Sequence, residues 1–391
     1  MQKRFTPDAG GVFPEWEEKT IEEACNVNVS NGTPGDKFIY IELGDVNKYG
    51  LLKRKNLVRK NEAPVSAKRV AKIDDVFFRS VRPGNKGHFH YTNEMSEQVV
   101  MSSAFFQLSM KDGDNEFLYQ TLNTQYFTKQ VLTRCTGTTY PTISLNEFIK
   151  LKIKIPKSME EQRKIAAALA TYDEMIAVKT AKLETWQECK KRMVKEIFGR
   201  TKRFRDDDGN EFPEWEEKTL GEVCKYGNTH KIGKNYIKVE NMNKDFSGVT
   251  FLEPSLEKKG IVYGIGDVLM SNIRPYLRKA WLADRGGVCD SDVLVFHLKD
   301  GVNVDSTFLY YTIASSEFVK WSMIGARGTK MPRCDKQHLL EKRIFLPCMT
   351  EQQKIGSFLA EIDKEIEIQK EFIKTYAEGK KRMMRELIEI K

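Results

Sequence analysis

The sequence predicts α/β (α+β) domains in two pseudo-symmetric copies, each followed by a long helix, with the two helices forming a long antiparallel coiled coil. Three observations predict this. An octapeptide occurs twice, a series of weaker matches follows each copy in the same order, and two apolar seams share one heptad register.

The octapeptide Phe-Pro-Glu-Trp-Glu-Glu-Lys-Thr stands at Phe13–Thr20 and again at Phe212–Thr219, an offset of 199 residues (13 to 212). Ahead of it, Arg4-Phe5 matches Arg203-Phe204, and behind it Cys25 matches Cys224. Asp75-Val76 with Arg82-Pro83 parallels Asp267-Val268 with Arg274-Pro275. Phe117-Leu118-Tyr119 recurs as Phe308-Leu309-Tyr310, and Gly137-Thr138…Pro141 as Gly328-Thr329…Pro332. Lys190-Lys191-Arg192-Met193 returns as Lys380-Lys381-Arg382-Met383. A unit this long is a domain with an appendage, not a solenoid repeat.

The elements follow from local pattern. Each octapeptide, with Pro between aromatics, reads as a packed leading segment. Short β-rich runs such as Phe38–Glu42 and Val76–Val81 then alternate with Gly and Pro punctuation. A helical stretch is expected over Glu116–Val131, matched by Ser306–Ser322. Next come the seams: Ile165, Leu169, Tyr172, Ile176, Leu183, Trp186, Met193 and Ile197, then Ile355, Leu359, Ile362, Ile366, Ile373, Tyr376, Met383 and Leu387. Spacings of four and three mark a heptad seam. Ser158 and Thr350 are the expected N-caps, with Glu161 completing a capping box. Each helix of about 40 residues would be roughly 60 Å long. The expected boundaries are 1–155 and 201–346 for the domains, and 156–200 and 347–391 for the spacer helices. Two helices with one register can bury their seams against each other; the alternative is that each folds back on its own domain.

Composition excludes more than it selects. The 391 residues are 40% hydrophobic and 30% charged, and no apolar run approaches membrane-helix length. Nothing apolar backs the charges of Met1–Pro7, so no secretory signal is expected. Seven scattered cysteines without a Cys-x-x-Cys pair read as small buried residues of a cytoplasmic chain, not a disulfide or zinc framework. His88-x-His90 has no third ligand nearby, so no metal is expected. A net charge of +9 permits a polyanionic partner without establishing one. The lone Gly264-Ile265-Gly266 and the over-long Gly227…Gly233-Lys234-Asn235 are weak as nucleotide loops. Asp206-Asp207-Asp208 reads as a solvated loop. The Asn-Pro-Pro-aromatic motif of an amino-methyltransferase does not occur, and no catalytic residue is assigned.

Two variable domains, each followed by a heptad helix, resemble the specificity subunit of type I restriction–modification enzymes. The resemblance rests on Pro156…Glu161-Gln162…Ile165 and Pro347…Glu351-Gln352…Ile355, the repeated Phe-Pro-x-Trp, and the two Arg-Pro pairs. The junctions differ by one residue between halves. The resemblance implies a non-catalytic subunit in which each domain reads one part of a bipartite, asymmetric sequence in double-stranded DNA. Its partners would be two methyltransferase subunits and two translocating nuclease subunits. S-adenosylmethionine, ATP and Mg would belong to those partners, with no cofactor in this chain.

The candidate DNA contacts lie in the divergent regions: Arg79, Arg82, Lys86 and Arg134 in the first domain, and Asn272, Arg274, Arg278, Lys279, Arg327 and Lys330 in the second. Arg82 and Arg274, shared between halves, read as phosphate or structural contacts. The rival reading is a scaffold that bridges two copies of a protein partner without DNA. The join after the first helix, Lys202-Arg203-Phe204, repeats at Lys3-Arg4-Phe5, so the chain reads as a broken circle whose termini are expected to meet.

Overall fold

A computed structural model describes residues 4–251 and 257–389. The chain forms two compact units. Unit 1 holds the residues up to Lys182 and those from Gln369 onward, and unit 2 spans Leu183–Ile368. The two long helices, Met159–Phe198 and Met349–Leu387, are therefore shared, each giving its first part to one unit and its last part to the other.

In unit 1 the end of the octapeptide, Glu17–Thr20, pairs antiparallel with Lys152–Ile155, the strand leading into the first long helix. A four-stranded antiparallel sheet runs in the order Cys25–Val27, Phe105–Met110, Val76–Arg79, Phe89–His90. A second runs Asn56–Arg59, Lys37–Ile41, Val99–Ser102, Ala67–Val70, with one parallel pair at its centre. Unit 2 repeats the scheme. Glu216–Thr219 pairs with Arg343–Leu346, and a four-stranded sheet runs Cys224–Tyr226, Val293–Leu298, Val268–Ser271, Ala280–Leu282. Its second sheet has three strands, His230–Gly233, Lys258–Tyr263 and Gly287–Cys289.

The helix expected over Glu116–Val131 is two helices, Asn115–Leu122 and Gln125–Thr133, and its counterpart splits into Ser306–Ile313 and Ser316–Ile324. The reason is local. Thr124 and Ser315 take extended backbone, and their hydroxyls accept from the N–H of Phe127 and Phe318 as N-caps of the second helix. Thr350 is likewise not a cap. The second long helix begins at Met349, one residue sooner after its strand than the first, so the shorter junction is absorbed in the connecting loop. Glu161 turns away from its expected capping box to Arg4, whose Nε and Nη2 each donate at 2.9 Å.

That contact explains the repeated motif. Arg4 also donates to the Pro14 carbonyl at 2.7 Å, joining the leading segment to the helix. Gln162 donates to the Pro156 carbonyl and accepts from the N–H of Asp114, the N-cap of Asn115–Leu122. In unit 2, Arg203 donates to Glu351 and to the Pro213 carbonyl, while Gln352 serves Pro347 and Asp305. The Pro…Glu-Gln junction is a structural clasp between strand, helix and leading segment.

Within unit 1 the long-helix segments run antiparallel: Asp173 binds Lys380 at 2.5 and 2.6 Å, and Lys179 lies over the Phe372 ring. Gly379 permits the approach, because a Cβ there would come within 2.8 Å of Tyr172. In unit 2, Lys190 pairs with Asp363 at 2.5 Å. The seam residues are buried or half-buried throughout. Both expected destinations for the seam are realised together. Ile165 and Leu169 join a core that holds Phe117, Phe148, Met384 and Leu387. Ile355, Leu359, Ile362 and Ile366 join one that holds Phe308, Met193 and Ile197. Among the described residues no helix is long and apolar enough to cross a membrane. Of the expected meeting of the termini, Met1–Lys3 and Ile390–Lys391 lie outside the described residues.

Candidate nucleic-acid interface

One substructure recurs in both units and gathers cations. Strands Val76–Arg79 and Val268–Ser271 each run into an Arg-Pro turn, Arg82-Pro83 and Arg274-Pro275. Arg82 and Arg274 have φ of 48° and 50°, and the residues closing each turn, Lys86 and Arg278, have φ of 58° and 55°. Left-handed backbone costs a residue with a side chain about 1–3 kcal/mol and persists only where its surroundings enforce it. Here a strap enforces it. The Arg82 N–H donates to the Pro141 carbonyl and the Arg274 N–H to the Pro332 carbonyl, each at 2.7 Å. The straps are hairpin loops closed by paired backbone bonds between Thr136 and Thr142, and between Arg327 and Arg333. Their tips, Gly137–Tyr140 and Gly328–Met331, are exposed.

The structure sorts the expected contact residues. Arg82 lies at the strap: its Nη2 donates to the Thr139 carbonyl at 3.2 Å, and its guanidinium stacks 4.0 Å above the Tyr140 ring. Arg134 is exposed at the base of the same loop, 3.7 Å from Glu147. In unit 2, Arg327 and Lys330 are exposed on the strap, Arg327 pairing with Asp335 at 3.1 Å. Arg274 is half-buried, and its Nε has no hydrogen-bond partner.

Others turn inward. Lys86 donates to the carbonyls of Asn123 and Thr124 and to the Thr128 hydroxyl, and burial pushes its ammonium down to about 8. It caps a helix C-terminus from inside the unit and is not a surface contact. Arg79 braces the carbonyls of Val81 and Leu43, its pKa lowered by burial and then by Arg82. Lys279 donates to the Val239 carbonyl at 2.7 Å, and burial lowers it too. Arg278 covers the Phe246 ring near Asp245. Asn272 is only 6% exposed, with its Oδ1 unpartnered. These inward positions share one cause: tertiary contacts bury stems that a single sequence leaves unplaced.

Three residues of the straps went unnoticed in the sequence. Arg333, beside Asp292 at 2.7 Å, adds a cation in unit 2. Tyr140 and Met331, at matching places between Gly-Thr and Pro, are 63% and 48% exposed. Their signal was the position in the repeat, since the residue types differ.

The His88-x-His90 pair splits between two roles. His88 is buried, stacked on Phe78 at 4.2 Å, and accepts from the Arg79 N–H; burial, then Lys86 and Arg79, hold it well below the usual imidazole range. His90 sits between Glu116 and Asp74, 2.7 Å from each. Among the described residues, no group of three or more His, Cys, Asp or Glu is arranged to hold a metal ion.

The model of the type I restriction modification DNA specificity domain matches twice, over residues 14–185 and 213–375. The chain belongs to that family. Each match opens within an octapeptide and closes within a long helix, so the family unit is the repeat itself. The MjaVIII specificity subunit of Methanocaldococcus jannaschii is 26% identical over 317 residues, 75% of this chain and 74% of the relative. The MjaIX specificity subunit of the same organism is 22% identical over 392 residues, 92% of this chain and 89% of the relative. The fold resembles the S subunit of the type I restriction-modification system of M. genitalium, with a TM-score of 0.60 at 15% identity, over 98% of this chain and 99% of that one. A chain solved in a study of type I R-M complex assembly and conformational transition gives 0.53 at 19% identity, over 96% and 98%. As a specificity-domain protein, this chain recognises DNA sequence for a restriction–modification system, and the scaffold without DNA is the disfavoured reading.

Proposed function

We propose that each unit reads one half of a bipartite, asymmetric duplex site, and that the chain is the non-catalytic guide for partner subunits that methylate and cleave. The observation that carries this is the strap: one backbone scaffold, repeated in both units, presents different side chains in each. In unit 1 the presenting residues are Arg82 and Arg134, and in unit 2 Arg274, Arg327, Lys330 and Arg333. Arg82 and Arg274, held by the same backbone bond in both, suit phosphates, which position a protein without conveying sequence. The divergent tips suit base edges.

The shared clasps and helix segments suit two copies of a methyltransferase subunit, joined by two restriction subunits for cleavage. S-adenosylmethionine, ATP and Mg would be bound by those partners, in the cytoplasm. The proposed division of the chain is 1–155 and 201–346 as recognition domains, with 156–200 and 347–391 as spacer helices.

Exchanging residues 21–155 for the equivalent domain of a relative, then sequencing methylated genomic DNA, tests the reading. One half of the methylated motif should change and the other stay. A change in both halves would refute modular reading. DNA affinity of the assembled complex should also fall by about 10³–10⁵ between roughly 50 and 200 mM salt if six to ten phosphates are contacted; a flat salt response would return the scaffold reading.

A further inference from the structure

We propose that Tyr140 and Met331 are wedge residues that enter the DNA base stack, one in each half-site. The inference deepens the DNA-reading assignment and rests on it. Single exposed apolar side chains are ordinary on protein surfaces, so exposure alone decides nothing. What sets these two apart is their mounting. Each stands at the same position of a loop that the fold braces twice, by the closing bonds of the hairpin and by the strap to a left-handed arginine. The frame of that position is kept between the units, with Gly-Thr two residues before it, Pro after it and the strapped Arg-Pro pair, while Thr139 and Lys330 differ. The side chain itself changes, from a planar ring to an unbranched thioether, yet in both units it is large, apolar and held in water.

The neighbours point to a nucleic acid. Arg82 lies over the Tyr140 ring at 4.0 Å, and the residue is 63% exposed, which leaves it accessible to a base. Arg327, Lys330 and Arg333 stand on the same loop as Met331. Arg327 and Arg333 are paired with Asp335 and Asp292, and Lys330 is exposed next to Met331, a cation suited to a backbone phosphate. An apolar side chain among cations is the means by which many proteins part a base step, and aromatic side chains stack on bases without demanding a particular one. A base to be methylated must leave the stack before chemistry can reach it, and a wedge lowers the work of opening the neighbouring step. Tyr140 would act by stacking and Met331 by filling the gap between two pairs.

The test uses the full-length chain assembled with its methyltransferase subunits, on duplexes carrying the motif mapped by methylation sequencing. The probe is 2-aminopurine placed in turn at each position of both half-sites. Wild type should give a several-fold fluorescence rise at one step in each half. Tyr140→Ala should remove the rise in the half assigned to unit 1 only, with affinity falling about tenfold, and Tyr140→Phe should restore it. Met331→Ala should do the same in the other half, and Met331→Leu should restore it. Unchanged melting temperatures would show that the variants are folded. The wedge is overturned if the rises persist in both alanine variants, or if wild type binds the motif with no rise at any position. Failure of wild type to bind the motif at low salt would overturn the DNA-reading assignment and the wedge with it.

Discussion

At the scale of single residues, the two units offer internal controls for each other. The Trp215 Nε1–H donates to buried Glu351 at 3.0 Å, whereas the matching Trp16 Nε1 is buried without a partner. A hydrogen bond to a charged group contributes about 1.5–3 kcal/mol, and an unmade one is a liability. Trp215→Phe should therefore destabilise by about 2 kcal/mol in chemical unfolding, while Trp16→Phe costs distinctly less; equal losses would contradict the assigned bonds. His90 supplies a pH dependence. Burial pulls its pKa down, but the bonds and charges of Glu116 and Asp74 outweigh burial and raise it. Its contribution to stability is fully present below the unfolded value of about 6.5 and fades as pH rises through the raised folded value. Glu116, which burial would raise, is lowered by His90, so its share is present above its unfolded value and lost on acidification. His90→Gln should thus lower the melting temperature of unit 1 most near pH 6, by an amount corresponding to about 1–3 kcal/mol, with the deficit shrinking toward alkaline pH.

At the scale of elements, the long helices were legible in the sequence because their seams repeat over many turns. What the sequence could not show was that each seam is divided between the other helix and the globular core. Leu169 illustrates this. As a purely interhelical residue, Leu169→Asp would disturb only the spacing of the domains. Fully buried beside Phe117 and Ile153, it should instead collapse the core of unit 1. A cleaner probe of the helix pair is Asp173–Lys380, where Asp173 also accepts from Gln120 at 2.7 Å. Asp173→Ala strands a buried ammonium and should cost about 3 kcal/mol, while Asp173→Leu with Lys380→Met should recover most of it. A double-mutant cycle in urea reads the coupling. The Arg-Pro turns were legible because both units keep them. The break at Thr124, the inward turn of Lys86 and the prominence of Tyr140 were not, because each depends on which surfaces pack against it, and periodicity is silent about that.

At the scale of the whole molecule, the two units differ in how their chain is joined. In unit 2 the first long helix ends at Phe198 and reaches Arg203, the clasp residue, through Gly199–Lys202. In unit 1 the matching pieces, the end of the second long helix and Arg4, belong to opposite ends of the sequence. They share one core nonetheless: Phe5 packs against the cluster that holds Leu387 and Ile388, and Glu389 accepts from the Tyr126 N–H at 2.9 Å. Four residues suffice for the join in unit 2, and Ile388–Lys391 with Met1–Lys3 would supply seven in unit 1. A permutant that links Lys391 directly to Met1 and opens between Asp207 and Asp208 should therefore fold. The cut falls in an exposed turn, where the ion pair of Asp207 with Lys354 is nearly all solvated on the acidic side and that of Arg205 with Glu211 is exposed on both. Surface pairs of that kind contribute about 0–1 kcal/mol, and closing a short loop costs little more than the native one. The permutant should bind the same motif, with a melting temperature within a few degrees of the parent. Loss of cooperative unfolding would show that the clasp in unit 1 tolerates no continuous backbone, and that the two units close their cores by different means.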